Sequence, residues 1–321
     1  MISIDDIRDA RTRIAKFVHR TPLVGSATLS RRAACRAHLK LENFQKTGSF
    51  KPRGALNNMS QLDAAQRERG VITISAGNHA QGVSYAAGLL GIRAVVVMPA
   101  SASRLKAQAA TEYGAEVILH GDMAGAFQKL DEVREERGLV FVHPFDDDRT
   151  IAGQGTVGLE IIEDLSDIDT VVVGIGGGGL ISGVAVAIKE LSPRTRVIGV
   201  EPTGAAVMHL SREQGKPAKL DKTSTIADGL AAPFAGARNF EIVQKYVDDL
   251  VLVDDDAIRA AMRFLLERCK VLAEPAGAAA TAALLTGKVR AGAGIDSANT
   301  VVIVSGGNVA METLSDLLKS P

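Results

Sequence analysis

Cysteine is nearly missing from this chain of 321 residues. The two present, Cys35 and Cys269, form neither a disulfide framework nor a metal-ligand pair. An excess of charge of either sign is missing too. Lys+Arg and Asp+Glu number 37 each, which gives no support to a general nucleic-acid or membrane-surface role. No apolar run reaches the ~18 residues of a membrane span, and the N-terminus carries Asp5, Asp6 and Arg8 instead of an apolar signal core. A soluble, cytoplasmic protein is expected. What the chain does have is apolar material. Hydrophobic residues make up 46%, which excludes a disordered role, and the length suffices for a large core and two lobes.

Apolar spacing predicts an opening helix carrying Ile4, Ile7, Ala10, Ile14 and Phe17. Strands are expected at 39–41, 71–74, 94–98, 117–119, 140–142, 171–173, 197–201, 251–253 and 301–304. Helices are expected after Pro52 and at 80–90, 103–113, 127–136, 158–165, 180–191, 256–270 (capped by Asp256) and 276–285. The polar tract 211–224 reads as an exposed excursion. This alternation indicates an α/β protein with parallel sheets and helices on both faces. No composition-biased linker divides the halves, so the lobes should share chain crossings.

One stretch organises the rest: Ser49-Phe50-Lys51-Pro52-Arg53-Gly54-Ala55. Pro52 suits the first helical position, where its missing N–H is no loss. A proline also disfavours the α region for the residue before it, so Lys51 is expected extended, just outside the helix. Lys46-Thr47-Gly48-Ser49 supplies turn chemistry and a cap. The amine is thereby held beside the positive end of a helix dipole. To act as nucleophile or base it must be desolvated, placed near another cation or held as a Schiff base. For a lone lysine the ordinary reading is a solvated helix face.

Three strand-to-helix junctions argue otherwise, because ligands collect outside the carboxyl ends of parallel strands. The loop Gly176-Gly177-Gly178-Gly179 lets backbone N–H groups converge on an anion, ahead of a helix that adds its positive end. Gly174, Gly176 and Gly179 also satisfy a dinucleotide fingerprint, with Glu201 at the expected distance, although four glycines suit a single phosphate equally. The loop Ser75-Ala76-Gly77-Asn78-His79 offers backbone donors to a carboxylate, and an amide in Asn78. Ser305, before Gly306-Gly307-Asn308, offers a hydroxyl, and Glu274 before Pro275 is an acid in apolar surroundings. Taken singly, each could be a plain cap or turn residue. Together a lysine, an anion cradle, a carboxylate loop and a neutral hydroxyl fit pyridoxal 5'-phosphate.

On these motifs the chain resembles the fold type II pyridoxal-phosphate enzymes, specifically the threonine/serine dehydratases (threonine ammonia-lyases). The likeness extends through Arg20-Thr21-Pro22-Leu23, His143-Pro144-Phe145-Asp146, Ile151-Ala152-Gly153-Gln154-Gly155-Thr156 and Ala227-Asp228-Gly229. It implies a tryptophan synthase β-like fold: two open, twisted, mostly parallel sheets in two domains. A small mobile domain, 46–148, would close over a large cofactor-binding one made of 1–45 and 149–321. The resemblance implies that Lys51 forms a Schiff base with the cofactor, Phe50 lies near its ring and Asn78 bonds its hydroxyl. It also implies that Gly176, Gly177, Gly178 and Gly179, with Leu180, hold the phosphate, that Ser305 faces the ring nitrogen, and that Glu274 belongs to the same set. Ser75, Ala76, Gly77, Asn78 and His79 would receive the substrate carboxylate. No regulatory extension is expected after the catalytic part.

The reaction this implies is β-elimination from L-threonine or L-serine. The expected partner is a small hydroxy-amino acid, in a homodimer or larger homo-oligomer, without nucleic acid or membrane. A serine racemase is the nearest rival, and a hydroxyaspartate dehydratase shares the fold. Racemases of this group carry a second serine where this chain has Ala76, and metal-binding carboxylates after the strand that ends at Glu201. Here Val207 replaces one of those acids, so no metal is expected. A nicotinamide-dependent oxidoreductase would use the glycine loop and Glu201 but leave Lys51 and Ser305 without a task. A non-catalytic amino-acid-binding protein would not need a poised lysine.

Overall fold

The computed structural model describes residues 1–102, 104–289 and 298–319. Its strands are β1 (Leu23–Gly25), β2 (Arg36–Leu41), β3 (Val71–Ile74), β4 (Ala94–Met98), β5 (Glu116–Leu119), β6 (Val140–Phe141), β7 (Thr170–Gly174), β8 (Arg196–Pro202), β9 (Asp249–Val253) and β10 (Asn299–Val304). They form a six-stranded sheet in the order β1-β2-β10-β7-β8-β9 and a four-stranded sheet in the order β5-β4-β3-β6. Every pairing is parallel except that of β1 with β2. β3, β7 and β10 are buried along their whole length, as expected for central strands covered by helices on both faces. Each of the three delivers one of the small-residue loops from its carboxyl end.

A long helix, Asp148–Asp164, ties the two sheets together. Asp147 caps it by accepting from the N–H groups of Arg149 and Thr150. It crosses the helix Lys51–Met59 where Gly153 faces Gly54. A Cβ on Gly153 would lie 2.7 Å from the Gly54 Cα, so only glycine permits this approach. That crossing explains why apolar spacing predicts only 158–165: the first half of the helix packs through backbone and carries few apolar side chains. The helices Ala27–Ala33, Ala64–Arg69, Ala237–Tyr246 and Met311–Lys319 are further elements that the apolar spacing does not predict. The tract 211–224 is not wholly irregular, because the helix Val207–Gln214 covers its start. Asp254, not Asp256, caps the helix Asp255–Phe264, which continues as a π-helical turn over Leu265–Cys269. The expected helix at 103–113 is found at Arg104–Glu112, and Ser103 lies outside the described residues.

The largest local correction concerns Lys51. It is not extended: the helix runs Lys51–Met59, with Phe50 as N-cap at φ −61°, ψ −17° and no side-chain cap. Tertiary pairing overrides the proline's preference. Ser49 bridges to Gly306, the Phe50 N–H donates to the Ser305 carbonyl at 3.2 Å, and the Gly307 N–H donates to the Gly48 carbonyl at 2.9 Å. Those bonds stitch the turn before Lys51 to the end of β10 and swing the chain directly into the helix.

Candidate active site

A cavity of about 400 Å³ opens at the carboxyl ends of β3, β7 and β10, and every residue expected to hold cofactor or substrate lines it. Phe50 and Lys51 enter from the start of their helix. Ser75, Ala76, Gly77, Asn78 and His79 follow β3, Gly176, Gly177, Gly178, Gly179 and Leu180 follow β7, and Glu274 and Ser305 complete the wall. Lys51 Nζ donates to the Pro144 carbonyl at 3.0 Å and lies 5.1 Å from the centroid of the Phe50 ring. Burial pulls its pKa from 10.5 down to about 8, and the Glu274 carboxylate opposes that shift. Near neutral pH the amine is thus far closer to its nucleophilic form than a solvated lysine.

Beneath this lysine lies a buried ion cluster that holds its helix. Arg53 is fully buried; Nε and Nη2 bond Glu42 at 2.8 Å each, and Nη1 bonds Glu160 at 2.7 Å. Lys40, also fully buried, pairs with Glu160 at 2.7 Å and donates to the Thr21 carbonyl. Two cations and two carboxylates balance, so each buried charge has an opposite partner.

The carboxylate loop starts the helix Asn78–Leu90, whose N-cap is Gly77 and whose first turn has no side-chain cap. Its free N–H groups therefore remain available to an anion. Asn78 Nδ2 donates to Glu274 Oε1 at 2.5 Å, and Asn308 Nδ2 donates to Asn78 Oδ1 at 2.8 Å. Burial and the nearby Asp228 charge push Glu274 up to about 7. His79 is buried; desolvation and the Lys51 charge hold its pKa well below 6.5, so it is neutral and Nε2 donates to the Val142 carbonyl. His143 is likewise kept neutral by burial, at about 4, and its Nδ1 accepts from the N–H groups of Phe145 and Asp146.

The glycine loop opens the helix Gly179–Leu191, again without a side-chain cap, and Gly178 adopts φ +101°. Phe145 explains the glycines on either side. A Cβ on Gly177 would run into its ring, and one on Gly179 would meet its backbone at 3.0 Å. Backbone alone therefore forms the cradle. Ser305 is buried, with Oγ 3.5 Å from the Ala276 carbonyl, and is a neutral group as expected. This donor set fits pyridoxal phosphate: an amine for the aldehyde, an uncapped glycine cradle for the phosphate, an amide and a hydroxyl for the ring.

Glu201 stands apart. It is buried outside the cavity, and its two oxygens accept from the N–H groups of Met208 at 2.7 Å and His209 at 2.8 Å. Both are thus engaged in capping the helix Val207–Gln214, which removes the support for a ribose-binding role. Among the described residues no group of three His, Cys, Asp or Glu is placed to hold a metal.

Several cavity residues escape the sequence reading. Lys106 pairs with Asp228 at 2.5 Å, Gln154 lines the wall with Oε1 buried and unpartnered, and Pro144 supplies the carbonyl to Lys51. The motifs containing Asp228, Gln154 and Pro144 are visible in the sequence, but their tasks are not. Lys106 has no local signal at all, being one lysine on a short helix.

The family model for pyridoxal-phosphate dependent enzymes matches residues 14–306. The catabolic L-threonine dehydratase TdcB of Escherichia coli strain K12 is 47% identical over 317 residues, covering 98% of this chain and 96% of that protein. Maize serine racemase superposes with a TM-score of 0.94 at 43% identity, over 98% of this chain and 96% of that one. The T.th. threonine deaminase does so with a TM-score of 0.91 at 40% identity, over 97% and 99%.

Proposed function

Because the chain belongs to the pyridoxal-phosphate dependent enzymes, we propose that it dehydrates and deaminates L-threonine, L-serine or both. The products are 2-oxobutyrate or pyruvate, with ammonia. One observation carries this reading. Lys51 with a lowered pKa, an uncapped glycine cradle and a neutral hydroxyl meet in one cavity, in a chain 47% identical to a threonine dehydratase.

Pyridoxal phosphate, when bound, supplies an aldehyde that condenses with amines and a ring that withdraws electrons from the substrate α-carbon. The protein's own groups do the rest. Lys51 would be the attachment point for that aldehyde, and its amine, with a pKa lowered by burial, is the base that takes the substrate α-proton. The uncapped first turn after Gly77 binds and orients the substrate carboxylate, while Ala76 and Gly77 leave room for it. The backbone of 176–179, with Leu180, would hold the phosphate, and Asn78, fixed by Glu274 and Asn308, would offer its amide to the ring hydroxyl. Phe50, whose ring centroid lies 5.1 Å from Lys51 Nζ, would lie beside the cofactor ring. Ser305 would meet the ring nitrogen with a hydroxyl, which cannot protonate it as an aspartate would. That keeps the electron demand moderate and favours prompt loss of the β-hydroxyl as water. The released enamine hydrolyses to the 2-oxo acid and ammonia.

A racemase reading is favoured by the fit to maize serine racemase, but Ala76 offers no proton donor on the opposite face. The reading also takes residues 46–148, which contain β3 to β6, as a small mobile domain over 1–45 and 149–321, in a cytoplasmic homo-oligomer. The test is borohydride reduction followed by peptide mapping, with 2-oxo acid formation assayed on both amino acids. Label on Lys51, and loss of turnover in Lys51→Ala, are expected. Label on another lysine, or no oxo acid from either substrate, would overturn the assignment.

A further inference from the structure

At the rim of the cavity Lys106 Nζ sits 3.8 Å from the point where a Cβ on Gly77 would lie. Its ammonium therefore faces the same space as the uncapped first turn of the 13-residue helix Asn78–Leu90. Two sources of positive potential, a helix N-terminus and a full cation, converge there. The ammonium is not idle: Asp228 Oδ2 holds it at 2.5 Å, from the opposite wall, while Asp228 Oδ1 accepts from the Gly229 N–H at 2.8 Å. The Lys106 side chain is 19% exposed and that of Asp228 61%. So open a pair contributes little to stability and is easily exchanged.

Building on the dehydratase reading, we propose that Asp228 is a stand-in for the substrate carboxylate. When substrate enters, its α-carboxylate takes Lys106 from Asp228 and bonds the ammonium together with the N–H groups of the Asn78–Leu90 helix. Lys106 is then a substrate-binding residue, and Asp228 sets the affinity by competing for it. The other charged groups facing this space are Lys51, committed to the amine chemistry, and Glu274, bonded to Asn78. An amine without a carboxylate would find Lys106 still paired and gain nothing from it.

The competition gives the two partners opposite signs, which a structural clasp does not. The measurement is a spectral titration of the holoenzyme with L-alanine, which has the carboxylate and amine but no β-hydroxyl to lose. Lys106→Gln should weaken L-alanine about tenfold, the low end for losing a charged hydrogen bond. Asp228→Asn should tighten it severalfold, because its amide oxygen can keep the Gly229 bond while the charge competing for Lys106 is gone. The double variant should bind as weakly as Lys106→Gln. Cofactor content and thermal midpoint of each variant verify that the fold is intact. If Asp228→Asn weakens L-alanine, the pair is a clasp and the proposal fails; it fails too if Lys106→Gln binds like wild type. The titration does not depend on elimination. Should wild type process neither L-threonine nor L-serine, the dehydratase reading falls while the order of these affinities still decides this one.

Discussion

Replacing Arg53 with methionine tests whether the ion cluster beneath Lys51 is an electrostatic unit or mere packing. The guanidinium spans Glu42 and Glu160 with four bonds of 2.7–3.0 Å, and no part of it reaches solvent. Methionine fills similar space but leaves Glu42 and Glu160 with Lys40 as their one remaining cation, a net buried negative charge. Removing one partner from a buried pair costs about 3–5 kcal/mol. At pH 8 the unfolding free energy from urea denaturation should therefore fall by that amount with an unchanged slope. The pH dependence carries the diagnosis. In wild type burial pushes Glu160 up, but Arg53 and Lys40 outweigh it and hold the carboxyl below its usual 4.5. Without Arg53 its pKa rises, and the folded variant takes up a proton that neutralises the stranded charge. The deficit should shrink as pH falls from 8 toward ~5, since the folded variant then binds more protons than its unfolded state. Arg53→Lys, which keeps charge but cannot fork between two carboxylates, should cost less than the methionine variant. A loss under ~1 kcal/mol at pH 8, or one that grows on acidification, would refute the electrostatic account.

Gly177→Ala should lower pyridoxal-phosphate affinity by about tenfold or more, measured by fluorescence titration of the cofactor-free chain. The new methyl meets Phe145, whose ring is hemmed in by His143 at 4.7 Å and Phe234 at 5.3 Å, and overpacking of this kind costs ~1–3 kcal/mol. An unchanged affinity would mean that the cradle is not where the phosphate sits. Glu274, raised by burial from 4.5 to about 7, binds a proton more tightly folded than unfolded. The cofactor-free protein should thus lose stability as pH rises from 4.5 to 7, and Glu274→Gln should flatten that fall by up to ~3 kcal/mol. Equal pH profiles in the two proteins would count against it. From one L-substrate, Ser305→Asp and Ala76→Ser should each shift the ratio of D-amino acid to 2-oxo acid upward. A barrier change of ~1.4 kcal/mol moves that ratio tenfold. Racemisation matching elimination in wild type would remove both residues from their assigned tasks.

Local chemistry made much of this protein readable from its sequence. Buried β-branched runs such as 171–173 and 301–304 reveal central strands because parallel strands are apolar on both faces. The glycine run 176–179 marks a cradle because only backbone can approach an anion there, and Lys51 stands out by its fixed place ahead of Pro52. Other features depend on residues far apart in the chain. The pairing of 48–50 with 305–307 turned Lys51 into a helical residue against the preference imposed by Pro52. Gly153 looks like a helix breaker until Gly54 is seen pressed against it. Lys106 and Asp228, 122 positions apart, meet only because their elements converge on one cavity. Propensity and spacing act within a few residues, so they could set the strands, the glycine loops and the lysine. The pKa of Lys51, the partners of Arg53 and the company of Lys106 follow from burial and long-range contact, and only the tertiary structure decided them.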